Sequence, residues 1–116
     1  MKIDIAAWML GYLTGLASSG AKPITYSDFT EALGKGIRSD ADVGALGRYL
    51  DVICELEAEE DRPMLTALLI SKDTGRPGEG FYDMARKLNK YAGTTEQDDI
   101  DFFKQELQAV YDTWVY

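Results

Sequence analysis

The 116-residue chain contains no histidine and a single cysteine, Cys54. Without imidazole there is no Ser-His-Asp or Cys-His nucleophile system, no imidazole general base and no common His-containing zinc site. One thiol cannot close a disulfide within the chain or build a tetrathiolate metal centre. Cys54 lies in an apolar-periodic stretch and reads as a small core residue in a reducing, cytoplasmic compartment. Cations are scarce too, with 12 Lys and Arg against 20 Asp and Glu, a net charge of −8. No cofactor is implied and the usual hydrolase chemistries fall away, so the expectation is a non-catalytic protein.

Long hydrophobic runs are also missing. Ile5 to Leu16 is the most apolar stretch, and the small residues Ala17-Ser18-Ser19-Gly20-Ala21 after it have the look of a signal-cleavage site. Asp4 stands where a signal peptide carries positive charge, and Ile5, Trp8/Met9, Tyr12/Leu13 and Leu16 follow helical spacing. The run is broken by Gly11, Thr14 and Gly15 and is shorter than the roughly 20 apolar residues that span a bilayer. A folded amphipathic helix is expected, with neither export signal nor membrane span.

What is present is an ordinary globular composition, 46% hydrophobic and 28% charged, in a length that suits one domain over residues 1–116. A first helix is expected from about Ile3 to Ser18, closed by Ser19-Gly20. Ile24-Thr25-Tyr26 reads as a short β bridge or N-terminal staple, and Thr25 or Ser27 can cap a helix over Asp28 to Leu33, ended at Gly34 and Gly36. Ser39-Asp40-Ala41-Asp42 carries a capping signature ahead of Val43, Leu46, Leu50, Ile53/Cys54 and Leu56 at steps of three and four. Gly44 and Gly47 on that helix suggest close helix packing, since each weakens helix propensity by up to ~1 kcal/mol.

Arg62-Pro63 breaks the pattern, and Met64 to Ser71, short and apolar between turn formers, reads as a buried strand. Residues 72–80 hold three glycines and a Pro-Gly step and must be loop, after which Phe81-Tyr82 can return as a strand edge or start a helix. Gly75, Gly78 and Gly80 are in the wrong order for a dinucleotide fingerprint and lack the Gly-Lys-Ser/Thr of a P-loop, so a tight connection explains them. Phe81, Met84, Ala85 and Leu88 give a helix ended by Gly93. Thr95-Glu96-Gln97-Asp98 is a capping box leading into Ile100, Phe103, Leu107, Val110/Tyr111 and Trp114. Trp114, Val115 and Tyr116 are expected to dock on the core, which should draw on Trp8, Leu13, Leu16, Phe29, Leu33, Leu46, Leu50, Ile53, Leu68, Ile70, Phe103, Leu107 and Trp114. The expected class is α+β, mainly helical, with about five helices and a small β element.

Charge is distributed unevenly. Asp51, Glu55, Glu57, Glu59, Glu60 and Asp61 follow one another with no cation between them, and Glu96, Asp98, Asp99, Asp101 and Glu106 are opposed by Lys104 alone. Residues 72–90 lean the other way, with Lys72, Arg76, Arg86, Lys87 and Lys90 against three acids. A run of carboxylates is commonly a solvated helix face, and otherwise an electrostatic docking surface that speeds encounter with a basic partner and suppresses wrong partners. Nothing nearby in sequence raises a carboxylate pKa for acid-base or metal chemistry.

The order helix, short β, helix, helix, strand, Gly-rich loop resembles a winged-helix domain, with Ser39 to Leu56 as recognition helix and residues 72–80 as wing. Ile24-Thr25-Tyr26, Leu46-Gly47-Arg48-Tyr49-Leu50, Leu65-Thr66-Ala67-Leu68-Leu69 and Gly75-Arg76-Pro77-Gly78-Glu79-Gly80-Phe81 look like a pattern of small uncharacterised bacterial proteins, covering about residues 24–82. That resemblance implies nucleic-acid binding or a regulatory role through Arg48, Lys72 and Arg76. A helix that meets phosphates needs Lys or Arg, however, and Arg48 stands among Asp40, Asp42, Asp51 and Glu55, so nucleic acid is not the expected partner. In overall character the chain resembles immunity proteins that neutralise bacterial nuclease toxins, including those of contact-dependent growth inhibition systems. That resemblance implies a basic nuclease toxin as partner, met by Asp51, Glu55, Glu57, Glu59, Glu60 and Asp61 and by the acids of residues 96–106.

Overall fold

The computed structural model describes the backbone of residues 5–33 and 40–115 and the side chains of residues 7–32 and 46–115. Five helices occur among them: α1 (Ile5–Ser19), α2 (Tyr26–Leu33), α3 (Asp40–Glu59), α4 (Glu79–Lys87) and α5 (Glu96–Trp114). Two short strands, β1 (Ile24–Thr25) and β2 (Leu69–Ile70), pair in parallel with Ile24 opposite Leu69 and Thr25 opposite Ile70. The α+β, mainly helical class read from the sequence is the observed one. The sequence signals at Ser39, Gly34, Gly36, Val43 and Gly44, the core candidate Leu33 and the expected docking of Tyr116 concern residues or side chains outside those described.

The expected strand over Met64 to Ser71 is for the most part a 3₁₀ turn, Leu65–Leu68, and only Leu69 and Ile70 pair as strand. Its residues Leu65, Thr66, Ala67 and Leu68 are all buried, because α1, α3 and α5 pack around the turn. A segment enclosed on every side has no polar face, so its sequence shows no period to separate strand from helical turn. Residues 71–78 then form a loop that enters α4 directly, and with Glu79 and Gly80 of the first turn they make up the 71–80 loop; Phe81 and Tyr82 follow in the same helix.

The helix ends follow local chemistry. Thr25 caps α2, its Oγ1 accepting from Asp28 N at 3.1 Å. The capping box of α5 forms as read, with Thr95 Oγ1 accepting from Asp98 N while Asp98 Oδ2 accepts from Thr95 N and Thr94 N. Those bonds to the charged form hold the Asp98 carboxyl below the usual range. Helices α1, α3 and α4 close with the same paired bonds around a left-handed residue, namely Gly20, Asp61 and Asn89. Asn89 therefore ends α4, and Gly93 has another reason to be glycine. A Cβ at Gly93 would lie 2.3–2.5 Å from the Tyr91 ring and hydroxyl.

Helix α1 buries Met9, Leu13 and Ala17, an i, i+4, i+8 stripe; Leu13 is in the core as expected, while Met9 and Ala17 take the fully buried places expected of Trp8 and Leu16. Trp8, expected in the core, is 38% exposed and stacks on Tyr12 at 5.1 Å, and Tyr12 in turn leans on Phe29. Helix α5 contributes Phe103 and Val110 to the core, with Phe102, Leu107, Tyr111 and Trp114 packed against it. Trp114 docks beneath the Arg62 guanidinium, 5.6 Å above its ring, whereas Val115 stays exposed. Phe81, Tyr82, Tyr91 and Phe102 form an aromatic cluster between α4 and α5, closed by a Tyr91–Phe102 stack at 4.6 Å.

Candidate functional site

The two acidic segments that look alike in sequence separate in the fold. In the 96–106 segment Glu96 pairs with Arg76 at 3.1 Å, and Asp98 caps α5. Asp99 accepts from Tyr91 OH and stands 4.0 Å from Arg86. Glu106 takes Lys90 at 3.3 Å and the backbone N–H of Met64 at 3.2 Å. Asp101 receives the Gln97 amide at 2.9 Å. Asp99 and Glu106 tie α5 to the Arg86–Tyr91 segment and to Met64 ahead of the 3₁₀ turn, Asp98 and Asp101 bond within α5 and its cap, and Glu96 and Asp101 remain exposed to solvent.

The 51–61 segment divides by helical register. Glu57 turns inward and is only 3% exposed, its carboxylate held by Arg62 Nε at 2.8 Å and Arg62 Nη2 at 3.1 Å. Its place in the docking set is therefore corrected: it is a structural ion pair, since a carboxylate taken from water must be paired. Glu55 lies 3.2 Å from Lys87, an exposed and weak contact. Asp51, Glu59, Glu60 and Asp61 are exposed and form no ion pair among the described residues. Two apolar side chains lie among them, Val52 at 45% and Leu56 at 49% exposure. The expectation that Leu56 belongs to the buried stripe fails here, because Ile53, Cys54 and Glu57 carry the inward face.

Steps of four place Asp51, Glu55 and Glu59 in one row along α3 and Val52, Leu56 and Glu60 in the next. The face runs about 14 Å along the helix and carries an apolar pair flanked by carboxylates.

Arg48, Lys72 and Arg76 do not combine into a basic surface. Arg76 is bonded to Glu96 and Lys72 adjoins Asp73, while Arg48 projects from α3 into solvent. Arg86, Lys87 and Lys90, the other cations of that region, bond to Asp83, Glu55 and Glu106. Of these pairs Arg76–Glu96, Lys87–Glu55 and Lys90–Glu106 close only in three dimensions and offset the basic bias seen along the chain, whereas Arg86–Asp83 is local.

Beside the α3 face a cavity of about 490 Å³ opens between α3, the start of α2, β2 and the 71–80 loop. Leu50, Cys54, Leu69, Ile70, Phe81 and Met84 supply much of its wall, and Asp51, Ser71 and Lys72 are among its polar groups. The Cys54 thiol lies 3.4 Å from Thr66 Oγ1, and burial pushes its pKa up to about 11, the reverse of an activated nucleophile. Burial also raises the Asp51 carboxyl, with Lys87 acting against that shift and Glu55 adding to it. Gly47 was expected to let two helices approach, but a Cβ built there meets no described atom within 4 Å, because it faces this cavity. The cavity leaves no local pattern in the sequence, since its walls come from segments up to about sixty residues apart.

Among the described residues no group of histidine, cysteine and carboxylates could hold a metal ion, and no helix is long and apolar enough to cross a membrane. Comparison with protein-family models, with curated proteins and with solved structures gives no match to this chain.

Proposed function

We propose that this chain is a non-catalytic binding protein that neutralises a basic protein partner in the cytoplasm, as an immunity protein meets a nuclease toxin, through the exposed face of α3. One observation carries this reading. In 96–106 every acid has an ion-pair or hydrogen-bond partner, while Asp51, Glu59, Glu60 and Asp61 are exposed, form no ion pair among the described residues and flank Val52 and Leu56. An apolar centre with a charged margin is the usual anatomy of a protein interface, in which the apolar contacts supply affinity and the charges steer encounter. The raised Cys54 pKa and the lack of histidine favour binding over catalysis. The nucleic-acid reading has less behind it, because Arg76 is bonded to Glu96 and Arg48 stands in an acidic face.

The test is capture of partners from the producing cell by the wild-type chain and by a Glu59→Lys, Glu60→Lys variant, followed by association kinetics of the captured protein. A basic partner retained by the wild type and lost by the variant, associating more slowly as salt rises, supports the proposal. Equal capture by both chains, or retention of nucleic acid in place of protein, overturns it.

A further inference from the structure

We infer that the cavity between α3, β2 and the 71–80 loop is a binding site for a compact, uncharged, mainly apolar ring compound carrying a hydrogen-bond donor. The cavity shares Asp51 with the docking face, but the inference rests on the cavity and not on a protein partner. At about 490 Å³ the cavity falls in the size range of pockets that enclose small organic molecules, and its wall has the usual constitution of such pockets, apolar side chains with a few polar groups.

Three glycines on the wall give the second argument. Gly47, Gly78 and Gly80 all border the cavity, none has positive φ, and a Cβ on any of them would meet no described atom within 4 Å. Neither positive φ nor close packing requires glycine there; at Gly47, inside α3, glycine costs up to about 1 kcal/mol against alanine, whereas Gly78 is the N-cap of α4, a position that accepts glycine, so Gly47 carries most of this argument. What the missing side chains do is leave the cavity open. Gly47 opens its α3 wall, and Gly78 and Gly80 open the wall at the start of α4.

The choice of ligand follows from the lining. Leu50, Leu69, Phe81 and Met84 suit the body of a ring, and Asp51 accepts a hydrogen bond from a ligand O–H. Charged groups of both signs, Asp51, Asp73 and Lys72, stand at the cavity, so no single field selects an ion strongly.

The experiment is an amide NMR titration of the full chain with 2-naphthol, with 2-naphthoate and 2-naphthylmethylammonium as charged comparisons. Saturable shifts at the Gly47, Gly78 and Gly80 amides with 2-naphthol are expected, with each ion weaker by about fivefold or more. Gly47→Leu fills the cavity and should weaken 2-naphthol by about tenfold or more. Gly80→Leu does the same from the opposite wall should the first variant fail to fold, and Gly11→Ala on α1 leaves binding unchanged. Absence of saturable shifts at these glycines, a charged probe binding more tightly than 2-naphthol, or unchanged affinity in a folded leucine variant would overturn the inference.

Discussion

Arg62 is joined to Glu57 twice. Its backbone N–H donates to the Glu57 carbonyl at 2.9 Å to close α3, and its guanidinium holds the Glu57 carboxylate through two nitrogens. Left-handed Asp61 makes this possible by turning the chain back over the last helical turn. Arg62→Ala leaves a carboxylate buried without its partner. Because the arginine itself is 37% exposed, the cost expected for a fully buried pair is discounted to about 1–3 kcal/mol. Urea unfolding of the variant checks this, and a loss well above that of Lys87→Ala is expected, since the Lys87–Glu55 contact is exposed.

Gly93→Ala should be destabilising by about 1–3 kcal/mol, as expected when a methyl group is forced against a packed ring. Tyr91 cannot swing away freely, being stacked on Phe102, covered by Arg86 at 5.0 Å and bonded to Asp99. In Gly93→Ala, Tyr91→Phe, which keeps the ring, most of the loss should persist. Thermal unfolding of both variants decides it.

Gly47→Ala should behave in the opposite sense and raise stability by about 0.5–1 kcal/mol. The site is helical and the added methyl meets open space. A loss of stability by urea unfolding would show that Gly47 is needed for packing after all.

Stability should fall on the alkaline side. Tyr91 is raised from 10.0 to about 12, first by removal from water and then by its bond to Asp99, and Cys54 from 9.0 to about 11 by burial. Both folded values exceed the unfolded ones, so in each case the folded chain retains a proton that the unfolded chain releases. Their contributions are complete below about pH 9 and are lost as pH rises through 9–11 for Cys54 and 10–12 for Tyr91. Urea midpoints between pH 8 and 11.5 should decline, and Cys54→Ala should flatten the lower part of that decline. At pH 7.4 Cys54 should react with iodoacetamide far more slowly than in urea-unfolded chain.

Features written locally were legible in the sequence. Thr95 and Asp98 stand three residues apart and cap α5 as read, and Cys54 takes its core place from helical spacing. Trp8 and Met9 were not separable, since either completes a stripe at steps of four and only packing with α3 and the 3₁₀ turn selects Met9. The acidic segments were visible as runs, but their division was not. Arg76 meets Glu96, Lys90 meets Glu106 and Lys87 meets Glu55 across 20, 16 and 32 residues, so no local pattern announces which carboxylates are engaged. Glu57 differs from Glu55 and Glu59 only by helical phase. The cavity had no signature beyond glycines that a loop and a helix start also explain.

The proposed interface is the face of α3 and its C-terminal turn that carries Asp51, Glu59, Glu60, Val52 and Leu56, with a basic protein as its partner. Its most direct test is the association rate of the captured partner at low and at high ionic strength, for the wild-type chain and for Glu59→Lys, Glu60→Lys. The rate should fall steeply with salt for the wild type and be slower and less salt-dependent for the variant, whose fold should be unchanged. Rates that are flat with salt and equal for the two chains would contradict it.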